Sequence, residues 1–192
     1  MHNLLGKAAS SMLAIAAMAS VAYAQAPAAP KGSVVVASPT YTSILMDITI
    51  DRPAAEVWGR IGKYCDVAEW LQVPAGCKIL SGKDGDVGAV RSVGNGEVLV
   101  AKTELSYTYA QTPKEGTPYN LYHGTIEVRP MTPTSSKIVY TLFFDNSMLP
   151  DDAARAKDRE TRRARFTQAL QNMKTLVEGG KLAPPPPPAP AR

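Results

Sequence analysis

Metal-ligating side chains are scarce in this chain. Its 192 residues include two histidines and two cysteines, and a protein zinc site needs three or four such ligands brought together. The chain has no G-x-x-x-x-G-K-S/T loop, no G-x-G-x-x-G turn after a strand, no H-E-x-x-H and no G-x-S-x-G. These absences argue against a phosphate-cradled nucleotide cofactor, a zinc protease site and an α/β-hydrolase serine. Charge of one sign is lacking as well. The 21 basic and 17 acidic residues leave a net +4, too mild an excess for a nucleic-acid surface. No apolar run reaches the ~20 residues of a stable membrane span, and there are no internal repeats.

What is present begins with an export pattern. Lys7 gives a short positive start, residues 8–21 are apolar, and Ala22-Tyr23-Ala24 forms an A-x-A cleavage site before Gln25. Residues 1–24 are therefore expected to be a signal peptide cut after Ala24, giving a periplasmic or secreted protein. Cleavage removes Lys7 and no acid, so the charge falls to +3, 20 basic minus 17 acidic. Cys65 and Cys77 are an even pair in an oxidising compartment and are read as a disulfide, the other reading being two buried free thiols. Residues 25–40, rich in Ala, Pro and Ser, read as a flexible linker. Residues 180–192 contain five consecutive prolines and read as an extended, disordered tail. That tail is a solvated spacer before it is a contact for a partner protein.

One domain is expected over 41–179. Residues 41–51 alternate apolar and polar as a strand. Pro53 opens a helix to about Gly62, with Val57, Trp58 and Ile61 on one side; proline's fixed φ and missing N–H suit a first helical turn. Residues 66–71 form a second short helix. Strands are expected over 77–82, 88–93, 97–105, 106–111, 121–129 and 137–145. Gly94-Asn95-Gly96 is a hairpin turn, and 83–86, 113–118 and 130–136 are the other turns. A long helix begins at an Asp151 or Asp152 cap and stops at Gly179-Gly180. Phe166, Ala169, Leu170, Met173, Leu176 and Val177 give it one buried face. Its first half carries Arg155, Lys157, Arg159, Arg162, Arg163 and Arg165 and reads as a solvated face. The fold class is α+β: a curved antiparallel sheet of about seven strands, two short helices after strand 1, and a long C-terminal helix over a cavity.

Strand parity yields a list of residues for that cavity. Tyr107 and Tyr109 share a face, as do Tyr122, Gly124, Ile126 and Val128, and also Ile138, Tyr140, Leu142 and Phe144. The tyrosines and Phe144 are expected to contact a ligand, the other reading being ordinary core tyrosines with satisfied hydroxyls. A tyrosine ring packs on apolar or aromatic surface and its hydroxyl orients or protonates a polar group. Trp70, near the cysteines, is a pocket wall or a core residue. Arg91, Lys102 and Glu104 lie on neighbouring hairpin strands. Facing inward, Arg91 clamps a carboxylate and Glu104 serves as acid or base; facing outward, they make a solvated ion pair. Histidine is a common general base in catalysis, which makes His123 a candidate, but parity puts it on the outer face. Catalytic candidates are thus His123, Tyr107 and Glu104. No metal site and no cofactor are expected.

The segments Ile48-Thr49-Ile50-Asp51-Arg52-Pro53-Ala54-Ala55-Glu56-Val57-Trp58, Gly88-Ala89-Val90-Arg91 and Gly124-Thr125-Ile126-Glu127-Val128-Arg129-Pro130 resemble the SRPBCC superfamily. This superfamily is also called START-like or Bet v 1-like, and the resemblance is to its polyketide cyclase/dehydrase group, over about residues 41–178. The resemblance implies a helix-grip domain with a deep apolar pocket. Its members bind lipids, sterols, hormones or aromatic polyketides, and some catalyse cyclisation, dehydration or other cofactor-free steps. The motifs are structural, and fold does not fix function. The expectation is an exported binding protein for a hydrophobic or aromatic small molecule. The alternative is a cofactor-independent lyase, cyclase, dehydratase or decarboxylase acting on an aromatic or polyketide-like substrate.

Overall fold

The computed structural model of this chain describes Val36 and residues 38–184. The expected signal peptide, most of the linker and the greater part of the proline run lie outside the described residues. The elements are β1 (Tyr41–Ile50), α1 (Ala54–Ile61), α2 (Val67–Trp70), β2 (Ile79–Ser81), β3 (Val90–Arg91), β4 (Glu97–Thr103), β5 (Ser106–Gln111), β6 (Asn120–Thr132), β7 (Ser135–Asp145) and α3 (Asp152–Val177). The sheet order is β1-β7-β6-β5-β4-β3-β2. Strands β2 to β7 form an antiparallel meander, and β1 adds to the free edge of β7 in the register Ile44↔Leu142, Met46↔Tyr140. The fold is the expected α+β helix-grip: a curved seven-stranded antiparallel sheet with a long C-terminal helix.

Period-two burial fixes which face is inside. Ile44, Met46 and Ile50 on β1, Tyr107 and Tyr109 on β5, Tyr122, Ile126 and Val128 on β6, and Ile138, Tyr140, Leu142 and Phe144 on β7 are all buried. Helix α3 packs on β1, β7, α1 and α2, which covers this face. Asp151 caps α3 by accepting from the Ala154 N–H at 2.7 Å, and Gly179, at φ +80°, follows its last turn. Pro53 is the N-cap of α1 rather than its first helical residue, with ψ 143°. The helix ends at Gly62, where a Cβ would stand 2.5 Å from the Trp58 ring. Gly124 answers a similar need. It pairs across the strands with Tyr109, whose ring lies 2.4 Å from where a Cβ would be.

Several boundaries differ from expectation. The turn expected over 130–136 is confined to residues 133–134, because β6 and β7 continue pairing through Pro130↔Ser136 and Thr132↔Ser135. Pro130 is tolerated there because β5 ends its pairing at Ser106↔Glu127, so β6 has a neighbour on one side only. The strands expected over 77–82 and 88–93 shrink to three and two residues. The strand expected over 97–105 ends at Thr103, and Glu104 and Leu105 form a two-residue turn. Cys65 and Cys77 are joined as a disulfide, with Cα atoms 5.4 Å apart, closing a 12-residue separation that contains α2.

One charged pair sits inside. Arg91 is fully buried and Glu97 is 2% exposed, and the two face each other across β3 and β4. Arg91 Nε donates to Glu97 Oε2 at 2.7 Å, and Nη2 lies 2.6 Å from the same oxygen. Nη1 donates to the Tyr64 carbonyl and, at 3.3 Å, to the Tyr107 hydroxyl. Glu97 Oε1 accepts from Gln111 Nε2 at 3.0 Å, and Gln111 Oε1 accepts from the Tyr119 hydroxyl at 2.8 Å. The Tyr64 hydroxyl donates to the Glu97 carbonyl at 2.9 Å. The guanidinium lies 4.2 Å, 4.8 Å and 5.5 Å from the ring centroids of Tyr64, Tyr109 and Tyr107, a cation–π cage. Burial pulls the Arg91 pKa down, but Tyr107 and Glu97 outweigh it and hold it above the ordinary value. Burial pushes the Glu97 carboxyl up, and Arg91 brings it only part of the way back.

Removing one member of such a pair strands the other in a low dielectric. Arg91→Met and Glu97→Gln are each expected to lower the unfolding free energy, R91M by about 3–5 kcal/mol. The double change R91M/E97L recovers much of the R91M loss, as a urea-denaturation double-mutant cycle will read. Replacing both Cys65 and Cys77 by Ala is expected to cost about 3 kcal/mol. Reducing the wild-type protein should produce the same fall in stability in calorimetry.

Candidate functional site

The Arg91–Glu97 network contributes walls to two hollows on the inner side of the sheet. The larger, about 350 Å³, lies between α3 and the sheet. Its sheet wall is Glu97, Tyr109, Gln111 and Tyr122, with Tyr119 before β6. Its helix wall is Asp158, Arg162, Arg165 and Phe166, and Val67, Leu71 and Val93 give it an apolar side. The smaller, about 270 Å³, opens between the end of α1 and the β4–β5 turn. Trp58, Tyr64, Leu99 and Tyr107 line it, with Lys63 and Lys102 among its polar residues. A groove of about 390 Å³ runs between α2 and α3 past Trp70, Leu71, Arg165 and Asn172.

The tyrosines form layers. Tyr109 and Tyr122 face the larger cavity, with ring centroids 6.4 Å apart. Tyr122 stacks on Phe144 at 5.8 Å, and Tyr109 shares a 2.9 Å hydrogen bond with the Tyr140 hydroxyl. Tyr140 packs against Phe166 at 4.8 Å and edge-on to Trp70 at 6.1 Å. Phe144 and Tyr140 are thus a second layer that fixes the first. Burial holds the Tyr109 and Tyr140 phenols well above their ordinary pKa. It pushes Tyr122 up to about 12, although the Arg162 charge opposes the shift. At neutral pH these hydroxyls are uncharged donors or acceptors, not bases.

Arg162 roofs the aromatic layer. It is largely buried, as is its partner Asp158, both of whose carboxylate oxygens accept from Arg162 Nε at 3.0 Å. Its guanidinium lies 4.5 Å from the Phe144 ring, 4.6 Å from Tyr119 and 5.3 Å from Tyr122. The approach of Tyr119 and Tyr122 depends on an extra residue in β6, where pairing shifts between Asn120↔Asp145 and His123↔Phe143. Leu121 sits there at φ +49°, a conformation that costs a non-glycine residue about 1–2 kcal/mol. Such bulges re-aim side chains beside them.

The structure gathers some of the predicted site residues and separates others. Tyr109 and Tyr122 line the larger cavity, Tyr107 lines the smaller one, and Arg91 joins the two walls. Tyr140 and Phe144 form the backing layer. Trp70 is fully buried and reaches the α2–α3 groove. Glu104 is exposed on the β4–β5 turn, and His123 is half-buried on the outward parity of β6, with Nδ1 2.7 Å from the Leu121 carbonyl. Neither lines any of the three hollows. Lys102 is exposed and donates to the Gly85 carbonyl at 2.5 Å. Glu97, Gln111, Tyr119, Arg162 and Arg165 were not singled out from the sequence as cavity residues. A signal existed for Arg162, which lies four residues before Phe166 and so on the same helix face. Among the described residues, no group of three or more His, Cys, Asp or Glu is placed to hold a metal ion. No described helix is long and apolar enough to cross a membrane.

No curated protein matches the chain by sequence. Among solved structures it is similar to a protein from Thermobifida fusca, at 20% identity and TM-score 0.60, covering 73% of this chain and 97% of that one. It is also similar to truncated norcoclaurine synthase from Thalictrum flavum, at 15% identity and TM-score 0.57, covering 77% and 99%. A third is the Zhui aromatase/cyclase from a Streptomyces species, at 15% identity and TM-score 0.53, covering 74% and 100%. At these identities the likeness is one of fold. Residues 41–178 match the family described as polyketide cyclase / dehydrase and lipid transport, and the chain belongs to that family.

Proposed function

We propose that this protein is an exported binding protein that holds a hydrophobic or aromatic small molecule in the cavity between α3 and the sheet. The observation that carries the reading is the state of that cavity's walls. Its buried tyrosines are uncharged and backed by a second aromatic layer, while its acidic groups are already committed. Arg91 and Gln111 occupy both oxygens of Glu97, and Arg162 occupies Asp158. A preformed aromatic hollow with few free polar groups suits binding. Export is supported by the A-x-A pattern at Ala22–Ala24 and by the Cys65–Cys77 disulfide. The family and the synthase and cyclase neighbours keep a cofactor-free cyclase or dehydratase as the rival. The raised Glu97 carboxyl on the cavity wall is the acid–base group such an enzyme would draw on.

The mature protein, purified without denaturants, is expected to release an apolar molecule into organic solvent, identifiable by mass spectrometry. The emptied protein should bind the apolar fluorophore N-phenyl-1-naphthylamine at one site. Leu71→Trp, which fills the cavity from its edge, should weaken that binding about tenfold or more, with an unchanged circular dichroism spectrum. An empty extract together with no probe binding would overturn the reading. Turnover of an aromatic substrate that is lost in Glu97→Gln, where folding is retained, would favour the enzyme.

The tyrosines set an alkaline limit on the fold. Their folded pKa values lie above the unfolded value of about 10, so the neutral form is the one the fold favours. That contribution is complete below about pH 10 and is lost as pH rises through about 12, the value for Tyr122. Absorbance at 295 nm should show these tyrosines ionising only together with the loss of far-ultraviolet circular dichroism. Ionisation of all the tyrosines in a still-folded protein would contradict the burial described here.

A further inference from the structure

We propose that the molecule held in the α3 cavity carries an anionic group, of the carboxylate kind, received at the cavity edge by the guanidinium groups of Arg162 and Arg165. This rests on the binding reading above and adds the charge class of the ligand. Four charged side chains line the cavity: Glu97, Asp158, Arg162 and Arg165. Three of them are neutralised locally, Glu97 by the buried Arg91 and Asp158 by Arg162. Arg165 has no ion pair or hydrogen bond among the described residues. The local balance is therefore one positive charge in excess, carried by an exposed side chain on the rim.

Geometry supports the same assignment. Arg162 and Arg165 are three residues apart on α3, so they project on the same side of the helix, and both line the cavity. Arg162 donates to Asp158 through Nε and also engages the Tyr122 hydroxyl on the cavity wall; a guanidinium has five N–H donors, more than these two partners take up. The Arg165 charge is felt inside, where it opposes the rise of the Glu97 carboxyl and of the Tyr119 phenol. Guanidinium forks match the two oxygens of a carboxylate. In this pose an aromatic body lies inward against Tyr109, Tyr122 and Phe166. The acid head stays at the rim, away from Glu97.

The test uses an isosteric pair of probes, 2-naphthoate and neutral 2-naphthamide, titrated calorimetrically into the mature protein at pH 7.5. Wild type is expected to prefer 2-naphthoate by about tenfold. Arg165→Gln, at an exposed position, should cut 2-naphthoate affinity by about tenfold and change 2-naphthamide affinity by less than about twofold. Arg165→Lys should restore part of the preference, since charge remains and the fork is lost. Equal binding of the two probes by wild type, or equal weakening of both by R165Q, would overturn the charge assignment and leave the binding reading standing. If wild type binds neither probe, the charge assignment falls, and the binding reading is decided by the extract and by N-phenyl-1-naphthylamine.

Discussion

The pairing of Arg91 with Glu97 is the constraint on which the rest of the interior depends. Taking two full charges out of water is expensive unless each is surrounded by partners. Here the partners come from most of the elements around the site. The Arg91 guanidinium engages the Tyr64 carbonyl, the Tyr107 hydroxyl and three tyrosine rings, and Glu97 engages Gln111 and, through it, Tyr119. The connection from α1 to α2, the strands β3, β4 and β5, and the loop before β6 are tied to one point. The shortness of β3 follows from this. Two residues of ladder hold a strand weakly, but one of them is Arg91, and its cross-strand neighbour is Glu97. The side-chain pair anchors what the backbone ladder alone leaves marginal.

The same pair shapes the space for a ligand. A helix laid across a curved sheet leaves a hollow between them. Here the network walls part of it off, so that Tyr64 and Tyr107 face one space and Glu97, Tyr109 and Gln111 face another. The tyrosine layers then harden the second space. Tyr109 fits only because Gly124 opposite it has no side chain, and its hydroxyl is held by Tyr140. Pre-organised walls lower the ordering cost of binding. They also leave few groups free to move protons, and this sets the balance between a binding protein and an enzyme of the same family.

How much of this was legible in the sequence depends on what each residue's pattern had to say. The alternation on β5, β6 and β7 placed Tyr107, Tyr109, Tyr122, Tyr140 and Phe144 on the buried face, because parity is a geometric property of a strand. Asp151 and Gly179 marked the ends of α3 because cap chemistry is local. The run from Ile48 to Trp58 gave the strand-to-helix passage, though Pro53 stands one position earlier than expected. Glu97 was missed for a tertiary reason. The pairing of β4 with β5 slips between Leu99 and Ala101, so Leu99 and Lys102, of opposite parity, stand across from Tyr109 and Tyr107 on the same face, and parity cannot be carried through the strand. Glu97 and Leu99 are buried while Lys102 and Glu104 are exposed. No local signal says that a glutamate at a strand's first position will meet an arginine six residues earlier inside the core.

Helix α3 shows why charge can mislead in the same way. Its buried residues are Phe166, Ala169, Leu170, Asn172, Met173 and Leu176, all in its second part. Before Phe166 the face that continues this stripe carries Asp158, Arg162 and, at its edge, Arg165. A surface helix read alone would assign those charges to solvent. The structure gives another cause for the change of character. From Phe166 onward the helix lies on packed core, and there apolar side chains are required. Before Phe166 it lies over the cavity, where a charged side chain can be satisfied by a partner on its own helix and by aromatic faces below. Arg162 has both, in Asp158 and in the rings of Tyr119, Tyr122 and Phe144. The point along a helix where a buried stripe turns charged without turning away from the sheet therefore locates the roof of a cavity, and in this chain that point is Phe166.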